Sequence, residues 1–340
     1  MLSCLTLENG CDESEVKEVI RNGFAKLYST SLCSAPCHIQ PNSTWHACII
    51  DEDRDSLDAD VIDEEIRAGL WSLKAFKAPR PDGLHTGFFQ RFWLVVGRFV
   101  MEEVKKVFLL KKVPKFLNST LISLIPKIPS PKTLSNYRPI SLCNMVYKIV
   151  LKVIVARLRP LLDQVISPLQ TAFILGRKGT DNAILVQELI HIVSRKKGKV
   201  GYMAIKIDLE KAYDKLEWSF IMEMLTKINL PQGLIKLIMS CISSVNTSIL
   251  LNGARLDQFF PSRGIRQGDP LSPYIFIICM EFLGHLIEAK CSSKSWNPVK
   301  SARGGLAFSH LFFADDLVLF ARADHDNCTI VREVLDEFCN

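Results

Sequence analysis

Two adjacent aspartates, Asp315 and Asp316, lie between apolar runs in the stretch LFFADDLVLF, residues 311–320. The aromatic and β-branched residues on both sides are typical of strands, so this stretch predicts two short strands joined by a tight turn. A pair of carboxylates on a largely apolar scaffold is costly unless a positive charge neutralises it. The pattern therefore indicates a site for a cation.

A third aspartate, Asp208, ends the apolar run MAIKID just before a helical pattern that starts near Glu210. Taken alone, Asp208 is typical of the N-cap of that helix. If its strand lies beside the hairpin of Asp315 and Asp316, the three carboxylates converge. Oxygen ligands suit Mg²⁺, and two such ions about 3.5–4 Å apart can hold an in-line phosphoryl transfer. The three aspartates therefore indicate a polymerase-type site with two Mg²⁺ ions, or Mn²⁺ in their place.

The net charge of +6 conceals an asymmetry along the chain. Residues 1–65 carry 14 acidic and 4 basic side chains, whereas the rest of the chain carries 22 acidic and 38 basic ones. The segment from Lys105 to Arg159 holds 12 lysines and arginines and no acid. A solvated helix face would usually mix both signs, so this segment favours a polyanionic partner such as nucleic acid.

The chain's 11 cysteines are scattered without paired spacing. This usage favours a reduced, intracellular protein, nuclear or cytoplasmic and not secreted. No apolar run is long enough to predict a membrane span. One group resembles a zinc site but lacks a CxxC pair, so loop residues are the stronger interpretation; it comprises Cys33, Cys37, His38, His46 and Cys48.

Periodic patterns predict the elements that must hold the aspartates, and together they indicate an α+β fold. We expect two strands within 119–143 joined by a basic loop, a strand over 202–209, and a hairpin around NGAR with strands over 247–252 and 257–260. The expected helices cover 14–28, 63–76, 94–113, 145–165, 181–193, 218–228 and 272–287. In the 145–165 helix the spacing predicts Ile149, Val153, Ala156 and Leu158 inside, and Lys148, Lys152 and Arg157 outside.

The motifs IDLEKAYD, RGIRQGDPLSPYIF and FADD occur in the order and approximate spacing of reverse transcriptases. The sequence most closely resembles those of LINE-type, non-LTR retrotransposons. Shorter pieces agree, and the resemblance covers about residues 65–340; these pieces are KAPRPDG, LISLIPK, NYRPISLCNMVYKIV, ARL and QTAFILGRKGTDN. The resemblance implies an RNA-directed DNA polymerase that adds dNTPs to a DNA primer on an RNA template with two Mg²⁺ ions, away from membranes.

The resemblance also implies roles for the residues of the catalytic motifs. Asp208, Asp315 and Asp316 would be catalytic and would bind the metal ions, assisted by the backbone carbonyl of Leu209. Tyr213 matches the aromatic position beneath the incoming sugar, where a ring excludes a 2′-hydroxyl. The alternative for Tyr213 is an ordinary core tyrosine.

Four further residues match positions that bind the incoming nucleotide. Gln267 and Gly268 match the loop beneath the templating base, where a glycine lets the backbone approach the substrate closely. Lys127 and Arg138 match the positions that hold the triphosphate, and both charge types suit phosphate oxygens. Lys127 also has a simpler reading, because lysines are common in loops.

The implied architecture is the palm and fingers of a right-hand polymerase. The palm would be an antiparallel sheet that pairs the Asp208 strand with the hairpin. The expected divisions are an acidic N-terminal extension (1–65) lying away from the nucleic-acid channel, a helical region leading into the fingers (66–114), fingers (115–200) and palm (201–340).

Three departures from the family pattern lead to further expectations. Arg80 replaces a usual glycine in KAPRPDG, which would strain a turn that needs a positive φ by about 1 kcal/mol. The sequence stops at Asn340, so we expect a missing thumb and weak synthesis by this chain alone. Residues 1–65 resemble no nuclease. Two alternatives stay open: an inactive retroelement remnant that at most binds nucleic acid, and a group II intron maturase-like protein.

Overall fold

A computed structural model describes residues 13–30, 48–76, 82–196, 201–302 and 304–339. The helices of these residues, in chain order, are α1 (Glu13–Leu27), α2 (Asp51–Asp58), α3 (Asp63–Trp71), α4 (Thr86–Arg91), α5 (Trp93–Leu110), α6 (Met145–Leu158), α7 (Gly179–Arg195), α8 (Ala212–Lys215), α9 (Trp218–Lys227), α10 (Gln232–Ser243), α11 (Ser272–Ser292) and α12 (His325–Cys339). Of these helices, none combines the length and apolarity needed to cross a bilayer.

The strands of the described residues are β1 (Ser119–Pro126), β2 (Tyr137–Cys143), β3 (Tyr202–Asp208), β4 (Asn246–Leu251), β5 (Ala254–Arg255), β6 (Val299–Lys300), β7 (Ala307–Phe308), β8 (His310–Phe313) and β9 (Asp316–Arg322). They form a four-stranded, a three-stranded and a two-stranded sheet. The mixture of helices and mainly antiparallel sheets agrees with the predicted α+β class.

The three-stranded sheet has the order β3–β9–β8, and all its pairs are antiparallel. Alternation along β9 sets the register, because its side chains point alternately to two buried faces. Leu317 and Leu319 belong to the main core, whereas Val318 and Phe320 pack in a smaller cluster with Leu189 of α7. Slipping β9 by one residue would exchange these two sets.

The four-stranded sheet has the order β2–β1–β4–β5. Strands β1 and β2 pair as an antiparallel hairpin, as predicted, and β4 lies parallel to β1 on its other side. The predicted hairpin at NGAR is present, but its turn is only Asn252 and Gly253, with positive φ angles of 50° and 86°, and Ala254 already belongs to β5. Such angles are typical of a two-residue turn between antiparallel strands. The second strand expected over 257–260 is reduced to a single bridge between Phe259 and Thr247.

The main core surrounds α11, in which 13 of 21 residues are buried. A helix that is apolar on all sides is expected at the centre of a fold, and α6, α9 and α10 contribute to the same core. The helices expected over 63–76 and 145–165 end earlier, at Trp71 and Leu158. In the second case Pro160 ends the α-helix, because proline lacks the N–H for the next hydrogen bond, and a 3₁₀ segment (Arg159–Gln164) follows.

Two of the side-chain directions predicted for α6 are wrong. Ala156 is exposed, and Arg157 is turned toward the N-terminal region rather than toward solvent. The Arg157 guanidinium donates two hydrogen bonds to Glu65, at 2.6 and 2.7 Å. Burial raises the pKa of Glu65, but the hydrogen bonds from Arg157 and the Ile62 amide outweigh it and leave that pKa below its usual value.

Acidic residues 51–65 therefore pack against the basic part of the chain. Besides the Arg157–Glu65 pair, Lys105 contacts Asp63 at 2.6 Å and Lys111 contacts Asp58 at 2.5 Å. Three of the 12 basic side chains in the acid-free segment are thus directed at this region. This pairing accounts for part of the charge asymmetry without any polyanionic partner.

Candidate active site

The predicted pairing of the aspartate-bearing strands is present. Asp208 is the last residue of β3, and it lies directly opposite Asp316, the first residue of β9. Directly opposed residues in antiparallel strands have Cα atoms about 4.5–5.5 Å apart. Asp208 is not an N-cap, since the residue that precedes α8 is Lys211.

Asp208 and Asp315 line a cleft of about 760 Å³. Leu209 lines the same cleft, while its side chain also packs against the main core. Both aspartates are exposed, so their carboxylates are accessible from the cleft. The sheet edge therefore presents oxygen ligands to a space large enough for a substrate.

The side chain of Asp316 points in a different direction from those of Asp208 and Asp315. It is absent from the lining of the cleft, and its carboxylate lies 3.2 Å from the Nζ of Lys206, two residues before Asp208. Across the described ranges, no three His, Cys, Asp or Glu side chains are arranged to hold a metal ion. The backbone thus brings the three aspartates to one sheet edge, but the side chain of Asp316 is paired with a lysine.

The donor set nevertheless fits a hard divalent cation. All three side chains offer carboxylate oxygens, which Mg²⁺ prefers over nitrogen or sulfur ligands. Lys206 is 71% exposed, so exchange of its ammonium group for another cation requires little desolvation. Binding of an ion by all three aspartates would require Asp316 to turn away from Lys206.

The turn that carries Asp315 is held by a residue that the sequence did not single out. Ala314 has a φ of 54°, which is unfavourable for a residue with a Cβ. Its amide donates to Oε1 of the buried Gln170 at 3.2 Å, and the same oxygen accepts from the Ala172 amide at 2.9 Å. Gln170 therefore holds the turn in its left-handed conformation.

Tyr213 also lines the cleft. Its ring stacks on Phe276 of α11, with centroids 4.6 Å apart and planes inclined by 12°. Burial raises the pKa of Tyr213 to about 12, and the nearby charge of Asp315 adds to this effect. The contact with α11 resembles that of a core tyrosine, yet the same residue borders the space beside the aspartates.

Gln267 and Gly268 also line the cleft. The Gln267 carbonyl accepts from the Ser141 amide of β2 at 2.8 Å. Gly268 has a φ of +90°, a conformation that L side chains rarely adopt. This loop is therefore joined to the four-stranded sheet by its main chain, and only glycine fits position 268 without strain.

Arg266 fixes this loop from beneath through buried hydrogen bonds. Its guanidinium donates to Asn118 at 2.8 Å, to Thr120 at 2.9 Å, and to the hydroxyl of Tyr147. Its Nε lies 3.6 Å from the buried carboxylate of Asp269. The positive charge is therefore neutralised inside the fold and does not face the cleft.

Lys127 and Arg138, the two predicted triphosphate contacts, both lie on the cleft. A third cation, Lys211, lines it as well and was not predicted. Its position is set by a φ of 54° between β3 and α8. The cleft is thus lined by carboxylates from the end of β3 and from the turn before β9, and by three cationic side chains.

The expected position of residues 1–65, away from the cleft, is wrong for α1. Gly23, Phe24 and Leu27 line the cleft, and Ile20 and Phe24 are buried in a second core against β1 and β4. The apolar face of α1 was readable from its spacing, but its partner sheet was not. Arg80 and the zinc-like group, apart from Cys48, lie outside the described residues.

Comparison with known proteins gives one family match and several relatives. Residues 125–340 match the family model described as reverse transcriptase (RNA-dependent DNA polymerase). A 149 kDa protein of transposon TX1 from Xenopus laevis is 26% identical over 82% of this chain and 21% of its own length. The Pol polyprotein of retrotransposable element R2DM from Drosophila melanogaster is 26% identical over 81% of this chain and 24% of its own length. An R2 Pol polyprotein from Popillia japonica is 27% identical over 77% and 35%.

Proposed function

Because the chain belongs to the reverse transcriptase family, we propose that it catalyses RNA-directed DNA synthesis for a non-LTR retrotransposon. The substrates would be an RNA template, a DNA primer and dNTPs. The chain spans between about a fifth and a third of the length of the relatives compared above. The proposal therefore concerns the polymerising part of such a protein.

The observation that carries the proposal is the register of β3 against β9. It places Asp208 opposite Asp316, with Asp315 beside it at the rim of the cleft. Side chains at strand ends are held by the main-chain ladder, so their spacing does not depend on mobile loops. Such an edge suits a reaction that requires oxygen ligands at fixed positions.

The residues that line the cleft would have different roles in the reaction. Asp208, Asp315, Asp316 and the Leu209 carbonyl would hold two divalent ions, which when bound supply the positive charge that phosphoryl transfer needs. Lys127 and Arg138 would bind the triphosphate. Their charges would favour the leaving pyrophosphate by pairing with its oxygens.

The nucleotide's sugar and base would lie between the two sides of the cleft. Tyr213, held by its stacking on Phe276, would exclude a 2′-hydroxyl because its ring cannot move away. Gln267 and Gly268 would support the base pair from below. We therefore expect Tyr213→Ala to admit ribonucleotides, measured as the ratio of rNTP to dNTP incorporation on one primer.

In this interpretation the three-stranded sheet, α9 and α11 form the palm, and the β1–β2 hairpin belongs to the fingers. The proposed fingers (115–200) and palm (201–340) share the four-stranded sheet, because β4 pairs with β1. Residues 66–114 lead into the fingers, and residues 1–65 precede them. The protein would act where its nucleic-acid substrates are found, in the nucleus or the cytoplasm.

Single-nucleotide addition tests the proposal. The chain, in excess over a labelled oligo(dT) primer on poly(rA), should add dTTP in the presence of Mg²⁺. Asp315→Ala combined with Asp316→Ala should abolish addition, while Asp336→Ala combined with Glu337→Ala, an exposed acidic pair on α12, should leave it unchanged. Equal addition by the unmodified chain and the first double variant would contradict the proposal.

A further inference from the structure

Tyr28, which directly follows α1, is buried. One other side chain links it to the residues that are predicted to bind the nucleotide. Its main-chain carbonyl accepts from the amides of Ser262 at 2.8 Å and Arg263 at 3.2 Å. Its ring lies 6.2 Å from that of Phe259, inclined by 23°. Its hydroxyl donates to Oδ1 of Asp214 at 2.9 Å. Tyr28 is therefore fixed at its main chain, its ring and its hydroxyl.

Asp214 connects this tyrosine to the predicted nucleotide-binding residues. It is 2% exposed and follows Tyr213 directly. Its carboxylate accepts from the Nε2 of Gln267 at 3.3 and 3.4 Å. Burial raises the pKa of Asp214, against the hydrogen bonds from Tyr28 and Gln267 and the charges of Lys211 and Lys127, which act to lower it.

The main chain joins the same two segments. The Gly264 amide donates to the Leu216 carbonyl at 2.7 Å, and the Ile265 amide donates to the Tyr213 carbonyl at 2.8 Å. Gly264 has a φ of +84°, and a Cβ there would lie 2.6 Å from the Asp214 carbonyl oxygen. The loop before Gln267 is thus packed directly on the segment that carries Tyr213 and Asp214.

We propose that Tyr28 is a positioning residue for the incoming nucleotide, acting through Asp214 on Gln267. The Asp214 carboxylate accepts the amide hydrogens of Gln267, so it decides which face of that amide is turned to the cleft. The Tyr28 hydroxyl occupies a lone pair of the same carboxylate and prevents it from rotating. This inference deepens the proposed function and rests on it.

The contact gives the N-terminal region a part in substrate recognition. Residues 13–28 lie outside the segment that matches the family model, which begins at residue 125. Gly23, Phe24 and Leu27, all of α1, line the cleft. The site is therefore completed by a helix that the family match does not include.

The affinity for dNTP, measured in a complex that cannot react, tests the inference independently of catalysis. A primer lacking its 3′-hydroxyl forms a ternary complex with template and the next dNTP but cannot react. Tyr28→Phe, which removes only the hydroxyl, should raise the Kd for dNTP about three- to tenfold, the range expected for the loss of one typical hydrogen bond. Tyr202→Phe, a half-buried tyrosine on β3, is the matched control and should not change the Kd.

Two further measurements separate positioning from general loosening. In a Gln267→Ala background, Tyr28→Phe should have no additional effect on the Kd, because the amide side chain on which Tyr28 acts is already removed. Amide hydrogen exchange of residues 264–268 in the free chain should accelerate in Tyr28→Phe and not in Tyr202→Phe. Additive effects on the Kd would overturn the inference.

The outcomes also distinguish the inference from the function on which it rests. An unmodified chain that binds no dNTP in the ternary complex would overturn both. Binding by the unmodified chain with an unchanged Kd in Tyr28→Phe would overturn the inference alone. A raised Kd with an unaltered rate of single-nucleotide addition at saturating dNTP would support it.

Discussion

The two sides of the cleft are built in different ways. The acidic edge, defined by Asp208 and Asp315, is positioned by the β3–β9–β8 register and a two-residue turn, and its side chains are exposed. The glutamine side, defined by residues 264–269, has main-chain hydrogen bonds to Ser141, Tyr213 and Leu216, and it depends in addition on buried side-chain hydrogen bonds through Arg266 and Asp214. Main-chain ladders tolerate side-chain changes, whereas a buried polar network depends on every member. The two sides should therefore respond differently to substitution.

The largest effect is expected at Arg266. Arg266→Met removes the cation that neutralises the buried carboxylate of Asp269 and a donor to the Tyr147 hydroxyl, so the free energy of unfolding should fall by about 3–5 kcal/mol. Chemical denaturation measures this change. Arg255→Met, at an exposed arginine on β5, should change it by less than about 0.5 kcal/mol. A similar small change in both variants would show that the glutamine side does not depend on its network.

Substitution of Asp208, in contrast to that of Arg266, should lower activity without lowering stability. Asp208→Asn removes a carboxylate that would bind the metal ions in the proposed function, so single-nucleotide addition should fall about a hundredfold or more, yet the exposed side chain has little influence on folding. The free energy of unfolding should stay within about 0.5 kcal/mol of the unmodified value. Asp257→Asn, another exposed aspartate, serves as the control for both measurements. A large loss of stability in Asp208→Asn would remove the distinction between the two sides.

Helix α11 carries a buried acid, Glu281. Burial raises the pKa of Glu281 to about 8, although its hydrogen bond from the Ser167 amide acts to lower it. Between its unfolded value of 4.5 and about 8, the folded state keeps a proton that the unfolded state has released. Stability should therefore fall as pH rises through this window, by at most about 1.4 kcal/mol per pH unit from this group.

Glu281→Gln checks this prediction, because it keeps the shape and removes the titration. The unfolding midpoint of the unmodified chain should decline between pH 5 and 8 more steeply than that of the variant. Glu337→Gln, on the exposed side of α12, should leave the pH dependence unchanged. Parallel pH profiles for all three proteins would mean that Glu281 is ionised in the folded state.

The smallest effect is expected at the turn between β8 and β9. Ala314→Gly removes the Cβ from a left-handed position, which gains about 1–2 kcal/mol, while the added freedom of the unfolded chain costs about 0.5–1 kcal/mol. A net stabilisation of about 0.5 kcal/mol should appear in the unfolding midpoint. Ala254→Gly, at an exposed alanine in β5 outside the left-handed region, should destabilise instead. Destabilisation of equal size in both variants would contradict the strain at Ala314.

The sequence predicted the acidic edge better than the glutamine side, for a physical reason. The strands ending at Asp208 and starting at Asp316 are local patterns with a period of two, and their pairing follows from burying both faces. By contrast, the contacts of Arg266 and Asp214 join segments far apart in the chain, and no local pattern encodes them. The pairing of Lys206 with Asp316 is a choice of rotamer and was not predictable either.

Charge reasoning failed at the N-terminal region for a related reason. The count of acids in residues 1–65 was correct, but it does not reveal their ion pairs. Asp58, Asp63 and Glu65 pair with basic side chains of α5, of α6 and of the residue that directly follows α5. Nor does it separate this acidic stretch from α1, whose apolar face packs on the four-stranded sheet. The charge of a binding partner can be inferred from composition only once the ion pairs within the protein are known.

The hydrogen bond of Tyr28 has a consequence for how the protein is made. Its acceptor lies 186 residues further along the chain, so the ribosome releases α1 long before its covering strands and Asp214 exist. Among the helices that the structure describes, α1 is synthesised first and yet is among the last to pack, so the cleft that it lines is completed only after β4 has emerged. Protease protection of α1 in nascent chains of increasing length should therefore appear only after residues 246–259 have left the exit tunnel.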